Sequence, residues 1–410
     1  MLATELQLST DQAPRSMSSH PQVRIPATYM RGGTSKGVFF KLKDLPENAQ
    51  QPGPERDRLL QRVIGSPDPY GKQIDGMGGA TSSTSKVAIV SRSERDDHDV
   101  DYMFGQVAVD RPLIDWSGNC GNLTAAVAVF AINSGFVDAE SMTKNGLAQV
   151  RIWQQNTGKS IIAEVPVRDG EVLETGDFFL DGVAFSGAPI TLDFHNPSDD
   201  ADVLFPSGKL LDHLKVDNNI SGYVEATLIN AGIPAVLLDA NQIGLTATEL
   251  EGDINDRTEH LELLEELRVQ GALKMGLIDS PEQAAQLQHT PKIIWLATAA
   301  NYRASNGQLV PADSIDVCAR ALSMGKLHHA MMASAAVAMA SAAAIPGTLV
   351  SQLAGRASSQ LRLGHTCGTL AVGAEAKQSN DNYWQINRAT MQRSARVLME
   401  GWVRVPADFR

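Results

Sequence analysis

The stretch Asp115–Ile132 reads DWSGNCGNLTAAVAVFAI, a run of small apolar residues behind two Gly-Asn pairs that bracket a cysteine. In it Leu123, Val127, Phe130 and Ala131 share one helical face. A second apolar run, AMMASAAVAMASAAAI, covers residues 330–345. It is too short and too alanine-rich to span a bilayer and reads as a buried helix. The rest of each half reads as strands with turns. One long apolar helix per half in strand-rich surroundings predicts an α+β fold rather than a doubly wound α/β sheet.

Strands are predicted around residues 25–30 and 37–42, flanking the loop RGGTSK, then at 87–90 and 100–109 and in the segments AQVRIWQQ and SIIAEVPV. A helix is expected near 57–64. Residues 169–187 are acidic and turn-rich, and 196–202 have loop composition with a domain change nearby. The second half begins with strand-like segments at 223–230 and 235–239. It continues with a charged amphipathic helix over 254–270, the buried strand KIIWLA and the Ala-rich helix. The segments GNCGNLTAAVAVFA and GHTCGTLAVGAEA share the order Gly, polar, Cys, Gly, then small apolar residues, which suggests that a loop-then-helix element occurs twice.

A length of 410 residues fits two domains or one large one. We expect a polar tail over 1–22, a first domain over 23–195 completed by 391–410, and a second over 196–390. The net charge of -12 argues against nucleic acid as a partner, without excluding a small anionic substrate. No segment predicts a membrane span. Cys120, Cys318 and Cys367 are odd in number and far apart, and the start of the chain does not read as a signal peptide. Free thiols in a cytoplasmic protein are the expectation.

Asn119 and Asn122 are good N-capping residue types, which puts Cys120 at the mouth of the first apolar helix. The first amides of a helix lack internal partners and the dipole there is positive, so such a mouth binds carboxylates and can activate a thiol. The same reading extends to Gly364–Thr369. The plainer alternative at both places is a turn with a buried, inert cysteine. Arg31 and Lys36 bracket Gly-Gly-Thr-Ser, which ends at Ser35 and offers amides and hydroxyls; the phosphate-loop order Gly-Lys-Ser/Thr is absent.

Lys86 follows the loop GGATSSTS, whose last residue is Ser85, and opens the apolar run VAIV. Partial burial would push its pKa below the usual value of about 10.4, and a neutral amine is a usable base toward a carbon acid. A surface lysine at a strand end is the alternative. His328 and His329 are adjacent, which is poor geometry for a metal, and no zinc-type spacing or serine-hydrolase elbow occurs. Neither metal nor organic cofactor is expected.

The blocks YMRGGTSKGVFF, IGSPDPYGKQIDGMGGATSSTSK, DWSGNCGNLTAAVAVFAI, HTPKI, RALSMGKLHHAMM, AAAIPGT and SRSARVLMEGWVRVP resemble the PrpF family over nearly all of residues 22–408. Its best-known members isomerise 2-methylaconitate in propionate breakdown by the 2-methylcitrate route, and 4-oxalomesaconate tautomerases belong to it too. The resemblance implies the diaminopimelate-epimerase fold, two similar domains of curled antiparallel sheet around a central helix, with the active site in the cleft. It also implies that Lys86 is the catalytic base and Cys120 the active-site cysteine. Asn119, Gly121 and Asn122 would form its carboxylate-binding turn. Arg31, Ser35, Ser85, His365, Thr366, Cys367, Gly368 and Thr369 are further candidates for substrate contact. The family carries Gly-His-Pro-Ser-Gly where this chain has Gly364-His365-Thr366-Cys367-Gly368. A cysteine there suggests the two-thiol epimerases of the same fold as an alternative. The resulting expectation is a cofactor-independent isomerase of an unsaturated tricarboxylate, with a homodimer compatible with it. The non-enzymatic alternative is an accessory partner of an aconitase-like iron–sulfur dehydratase.

Overall fold

The computed structural model describes residues 22–138, 142–198, 204–216, 222–381 and 383–406. The expected tail lies outside these apart from Gln22, and so does part of the expected boundary at 196–202.

Each half wraps one buried helix in strands of the same order. In the first half, Gln22–Gly32 and Ser35–Lys41 form a hairpin, and Ser35–Lys41 lies parallel to Lys86–Arg92. That strand pairs antiparallel with Val100–Val107, which runs parallel to Gly146–Gln154; Gly146–Gln154 pairs antiparallel with Lys159–Arg168. The second half repeats the scheme. Tyr223–Ala231 and Ile233–Asp239 form the hairpin, and Ile233–Asp239 lies parallel to Lys292–Thr298. Lys292–Thr298 is antiparallel to Val317–Ser323, which is parallel to Gln360–His365, and that strand turns back into Gly368–Gln378. The helix enters between the fourth and fifth strands of each scheme, as Gly121–Asn133 and as Ala333–Ala343.

The halves are joined through their sheets. Ile190–His195 pairs with Lys159–Arg168 on one side and Trp384–Arg393 on the other, and Trp384–Arg393 also pairs with Gly368–Gln378. The last strand, Ala395–Pro406, returns to run along Gln22–Gly32. The architecture is α+β and mostly antiparallel.

The two helices are apolar all round because strands surround them. Residues 121–131 and 333–343 are buried without exception. A helix in that position has no face to give to charged side chains. The small residues let backbone approach closely: a Cβ on Gly32 in the first hairpin turn would lie 2.5 Å from the Asn122 carbonyl oxygen. The charged helix expected over 254–270 is two helices, Glu251–Asn255 and Thr258–Lys274.

The expected echo at Gly364–Thr369 is corrected. This segment is a hairpin turn, with His365 paired to Gly368, and no helix follows. Behind Gly368 the burial alternates, with Leu370 and Val372 inward and Ala371 outward, the period of a strand. The second helix mouth lies instead at Met332, the N-cap of Ala333–Ala343, in the position that Cys120 holds in the first half.

Candidate active site

The two central helices begin against each other. A Cβ on Gly121 would sit 2.9 Å from Ala333 Cβ and 3.5 Å from the Ser334 nitrogen, so only glycine lets these N-termini meet. Thr124 N is the first amide of its helix to bond back, to the Cys120 carbonyl, and Ala336 N does the same to Met332. The amides before each have no intrahelical partner, and both dipoles present their positive ends to one place.

A small enclosed cavity lies there. Ser35, Lys86, Asn119, Cys120, Gly121, Asn122, His289, Lys292, Ser323, His328 and Met332 line it. Lys86 is the first residue of its strand and is 5 % exposed. Its Nζ donates to Gln106 Oε1 at 2.6 Å and lies 4.9 Å from the centre of the Phe104 ring. The Gln106 amide nitrogen is committed to the carbonyls of Ser82 and Ser85, which turns its oxygen toward the lysine. Burial pushes the Lys86 ammonium below its usual range, while the nearby Cys120 opposes the shift. Taking an ammonium out of water favours the neutral amine, the form a base requires.

Lys292 is 1 % exposed, and its Nζ is 3.1 Å from His289 Nδ1. Burial, followed by the charge of Lys86, lowers Lys292 to about 7. Burial also holds His289 well below the ordinary histidine value, and both lysines add to this. A neutral His289 therefore accepts from the lysine at Nδ1. Asp115 balances the cluster as a carboxylate held by the amides of Ser117 and His289. Arg393, 1 % exposed, donates to Asn122 Oδ1, and Asn122 Nδ2 donates to Thr34 Oγ1, so that side chain is fixed from both sides; the N-cap is Cys120 and no side chain caps this helix, which corrects the capping role expected of Asn119 and Asn122.

Outside Ser35 a larger cavity of about 660 Å³ opens, lined by Arg31, Lys36, Arg396, Thr34, His329 and the loop 182–186. Arg31 is anchored by donating to the Gly33 and Ser394 carbonyls. Arg31, Lys36 and Arg396 outnumber Glu174 in that lining, which leaves it net positive.

The structure brings Lys86, Ser35, Asn119, Cys120, Gly121 and Asn122 together at the inner cavity and puts Arg31 in the outer one. The other candidates are placed elsewhere. Ser85 is buried and donates to Gln73 Oε1 and the Thr81 carbonyl, holding the loop before Lys86. The turn His365–Thr369 does not line the inner cavity, and its polar groups are committed internally. Tyr302 donates to the carbonyls of His365 and Gly368. Thr366 donates to the His328 carbonyl, and Thr369 N donates to Asp181 Oδ2 at 2.6 Å. The Cys367 amide donates to His365 Nδ1, and its thiol donates to the His329 carbonyl at 2.6 Å. Burial pushes the Cys367 thiol up. Across the cavity from Cys120 stands Met332, whose thioether has no proton to give, so a two-thiol arrangement is not what this cavity holds.

Lys292, His289, Gln106 and Met332 were not picked out in the sequence. The signal for Lys292 was present: KIIWL, like KVAIV, is a lysine heading an apolar strand. No pattern ties Gln106 or Met332 to the site before the strands are paired. Among the described residues no three His, Cys, Asp or Glu side chains converge as metal ligands, and no helix is long and apolar enough to cross a membrane.

The chain is 58% identical over 397 residues to a 2-methyl-aconitate isomerase of Cupriavidus necator, covering 96% of this chain and all of that one. Among solved structures, a methylitaconate-delta-isomerase superposes with a TM-score of 0.72 at 33% identity, covering 95% of this chain and 97% of the other. A hydroxyproline epimerase from Agrobacterium vitis shares the fold alone, with a TM-score of 0.54 at 12% identity over 94% of this chain and 93% of the other. The fold is therefore of the diaminopimelate-epimerase type, and the chain is an isomerase. The family model described as PrpF protein matches residues 22–406, and with that match over most of its length the chain belongs to the PrpF family.

Proposed function

We propose that this isomerase acts on 2-methylaconitate, by removing and returning a proton with the chain's own side chains. The observation that carries the reading is the placement of Lys86 and Cys120 in one buried cavity between two helix N-termini. Lys86, favoured as the neutral amine, takes a proton from a carbon that lies next to a carboxylate and allylic to the double bond. The electron pair left behind spreads over the former double bond, which can then rotate or shift before a proton returns. Developing charge on the carboxylate is met by the first amides of the helices, and each such donor contributes a few kcal/mol at about 10²–10³-fold in rate. Arg31 and the outer cavity receive the remaining carboxylates. The identity to a 2-methyl-aconitate isomerase supports this substrate over other unsaturated tricarboxylates. The reading places the reaction in propionate breakdown.

The test is to mix the purified chain with 2-methylaconitate and follow the ultraviolet spectrum and proton NMR, with and without EDTA. Isomerisation that survives the chelator is expected, and Lys86→Ala should abolish it while leaving the circular dichroism spectrum intact. Conversion of 4-oxalomesaconate with no turnover of 2-methylaconitate would move the substrate to that tautomerase reaction. Near-normal activity of Lys86→Ala would sink the assignment of the base.

A further inference from the structure

Lys36, Arg31 and Arg396 stand side by side across three neighbouring strands. Arg31 lies on the first strand, Gln22–Gly32. It is opposite Lys36 on the second strand and opposite Arg396 on the last, and both pairings are antiparallel. Residues directly opposite in antiparallel strands project from the same face of the sheet, and like charges placed so destabilise it. Here three cations form a row, and all three line the outer cavity.

Little in the fold offsets their repulsion. Among the described residues, neither Lys36 nor Arg396 makes an ion pair or a side-chain hydrogen bond. Lys36 Nζ has the weaker attraction of the Tyr29 ring, 5.4 Å from its centre. Arg31 commits Nη1 to the Gly33 and Ser394 carbonyls and the Ser394 hydroxyl, and its Nε and Nη2 have no partner among the described residues. Burial, followed by the charge of Arg396, lowers the Arg31 pKa, and Glu174 opposes the shift. Glu174 is the carboxylate of that lining, and its Oε1 accepts from the Val397 amide. His329, in the same lining, is lowered by burial and by the charge of Lys86, which keeps it neutral at pH 7.

Three cations facing one carboxylate leave two positive charges. The outer cavity adjoins the inner one at Ser35, which lines both. An unsaturated tricarboxylate with one carboxylate at the helix mouths beside Lys86 has two left, and these match the surplus in number. We propose that Arg396 and Lys36 are specificity-determining residues, which with Arg31 hold the two carboxylates remote from the reacting carbon and so select a tricarboxylate over a dicarboxylate. This rests on the isomerase reading of the site. The guanidinium groups offer paired N–H donors to a carboxylate, and Lys36 acts as a point charge. An anion bound among the three turns mutual repulsion into shared attraction, which added salt should screen.

The experiment measures, by calorimetry, the binding of two saturated acids to the unaltered chain, Arg396→Gln and Lys36→Gln. Tricarballylate carries three carboxylates and 2-methylsuccinate two, and neither has a double bond to isomerise, so binding is read without turnover. Each variant should lose about tenfold or more toward tricarballylate, the loss of a charged hydrogen-bond donor. Toward 2-methylsuccinate the loss should be about threefold or less, because its single outer carboxylate keeps the two remaining cations. Equal losses toward both acids, or none toward tricarballylate, overturn the proposal. In steady-state kinetics with 2-methylaconitate, Arg396→Gln should raise KM about tenfold and leave kcat within about threefold, since a contact far from the reacting carbon holds substrate and transition state alike. A fall in kcat at unchanged KM overturns it. Urea unfolding supplies the control for structure. Removing one of three like charges should leave the midpoint of Arg396→Gln equal or higher, and a lower midpoint would mean that the arginine serves the fold and would overturn its assignment. If the unaltered chain turns over no 2-methylaconitate while its preference for tricarballylate depends on Arg396 and Lys36, the substrate reading fails and the carboxylate site stands.

Discussion

Replacing Lys292 with methionine should make the protein more stable at neutral pH. The direction follows from the sign of the shift. Burial lowers Lys292 from the ordinary lysine value of about 10.5 to about 7 in the folded chain. Between these values the unfolded chain binds more protons than the folded one, so stability rises with pH across the window. The penalty for keeping the lysine is fully developed below pH 7 and gone above the unfolded value. Linkage puts that penalty at about 4 kcal/mol at pH 7 and about 2 kcal/mol at pH 9. Methionine fills a similar volume with no charge, and the lost hydrogen bond to His289 Nδ1 costs about 1 kcal/mol. The net gain is about 3 kcal/mol at pH 7 and about 1 kcal/mol at pH 9. Urea unfolding of both proteins at the two pH values measures it. A variant that is less stable at both, or whose gain does not shrink as pH rises, would refute the reasoning that the site stores the cost of a buried amine.

The cysteines should separate in steady-state kinetics. Cys367→Ser should keep activity within roughly tenfold, about 1.4 kcal/mol of barrier, because its thiol is committed to the His329 carbonyl and lies outside the inner cavity. Cys120→Ser should lose more, and a thousandfold loss in Cys367→Ser would reverse that ranking. Gly121→Val should lower stability by about 1–3 kcal/mol, since its first carbon already meets Ala333 Cβ and the Phe194 ring. An unchanged denaturant midpoint for Gly121→Val would mean that the helix mouths are not in contact.

Much of this protein was determined locally. The run after Met332 was legible as a buried helix, whereas the run behind Asn122 read as a helix with one apolar face and is buried on every side, because strands surround it. Lys86 at the head of VAIV and Cys120 before Gly121 were likewise legible, because capping and strand entry depend on a few neighbouring residues. The segment GHTCGTLAV shows where local pattern misleads. It copies the composition of GNCGNLTAAV, but its apolar residues return every second position, and the chain turns back as a hairpin. Its amide at Thr369 is claimed by Asp181, 188 residues earlier, and no sequence rule announces that.

The meeting of Lys86 with Lys292, and of Gly121 with Ala333, was decided by tertiary structure alone. Each pair joins residues more than 200 positions apart. What brings them together is the repetition of one strand order in both halves and the pairing of Ile190–His195 with Trp384–Arg393 that joins the two sheets. A strand's local sequence states which face is buried, but not which partner lies beyond that face. The lowered titration of two lysines is a property of that shared buried space, where burial acts on both and the charge of Lys86 adds to it at Lys292, and neither segment possesses it alone.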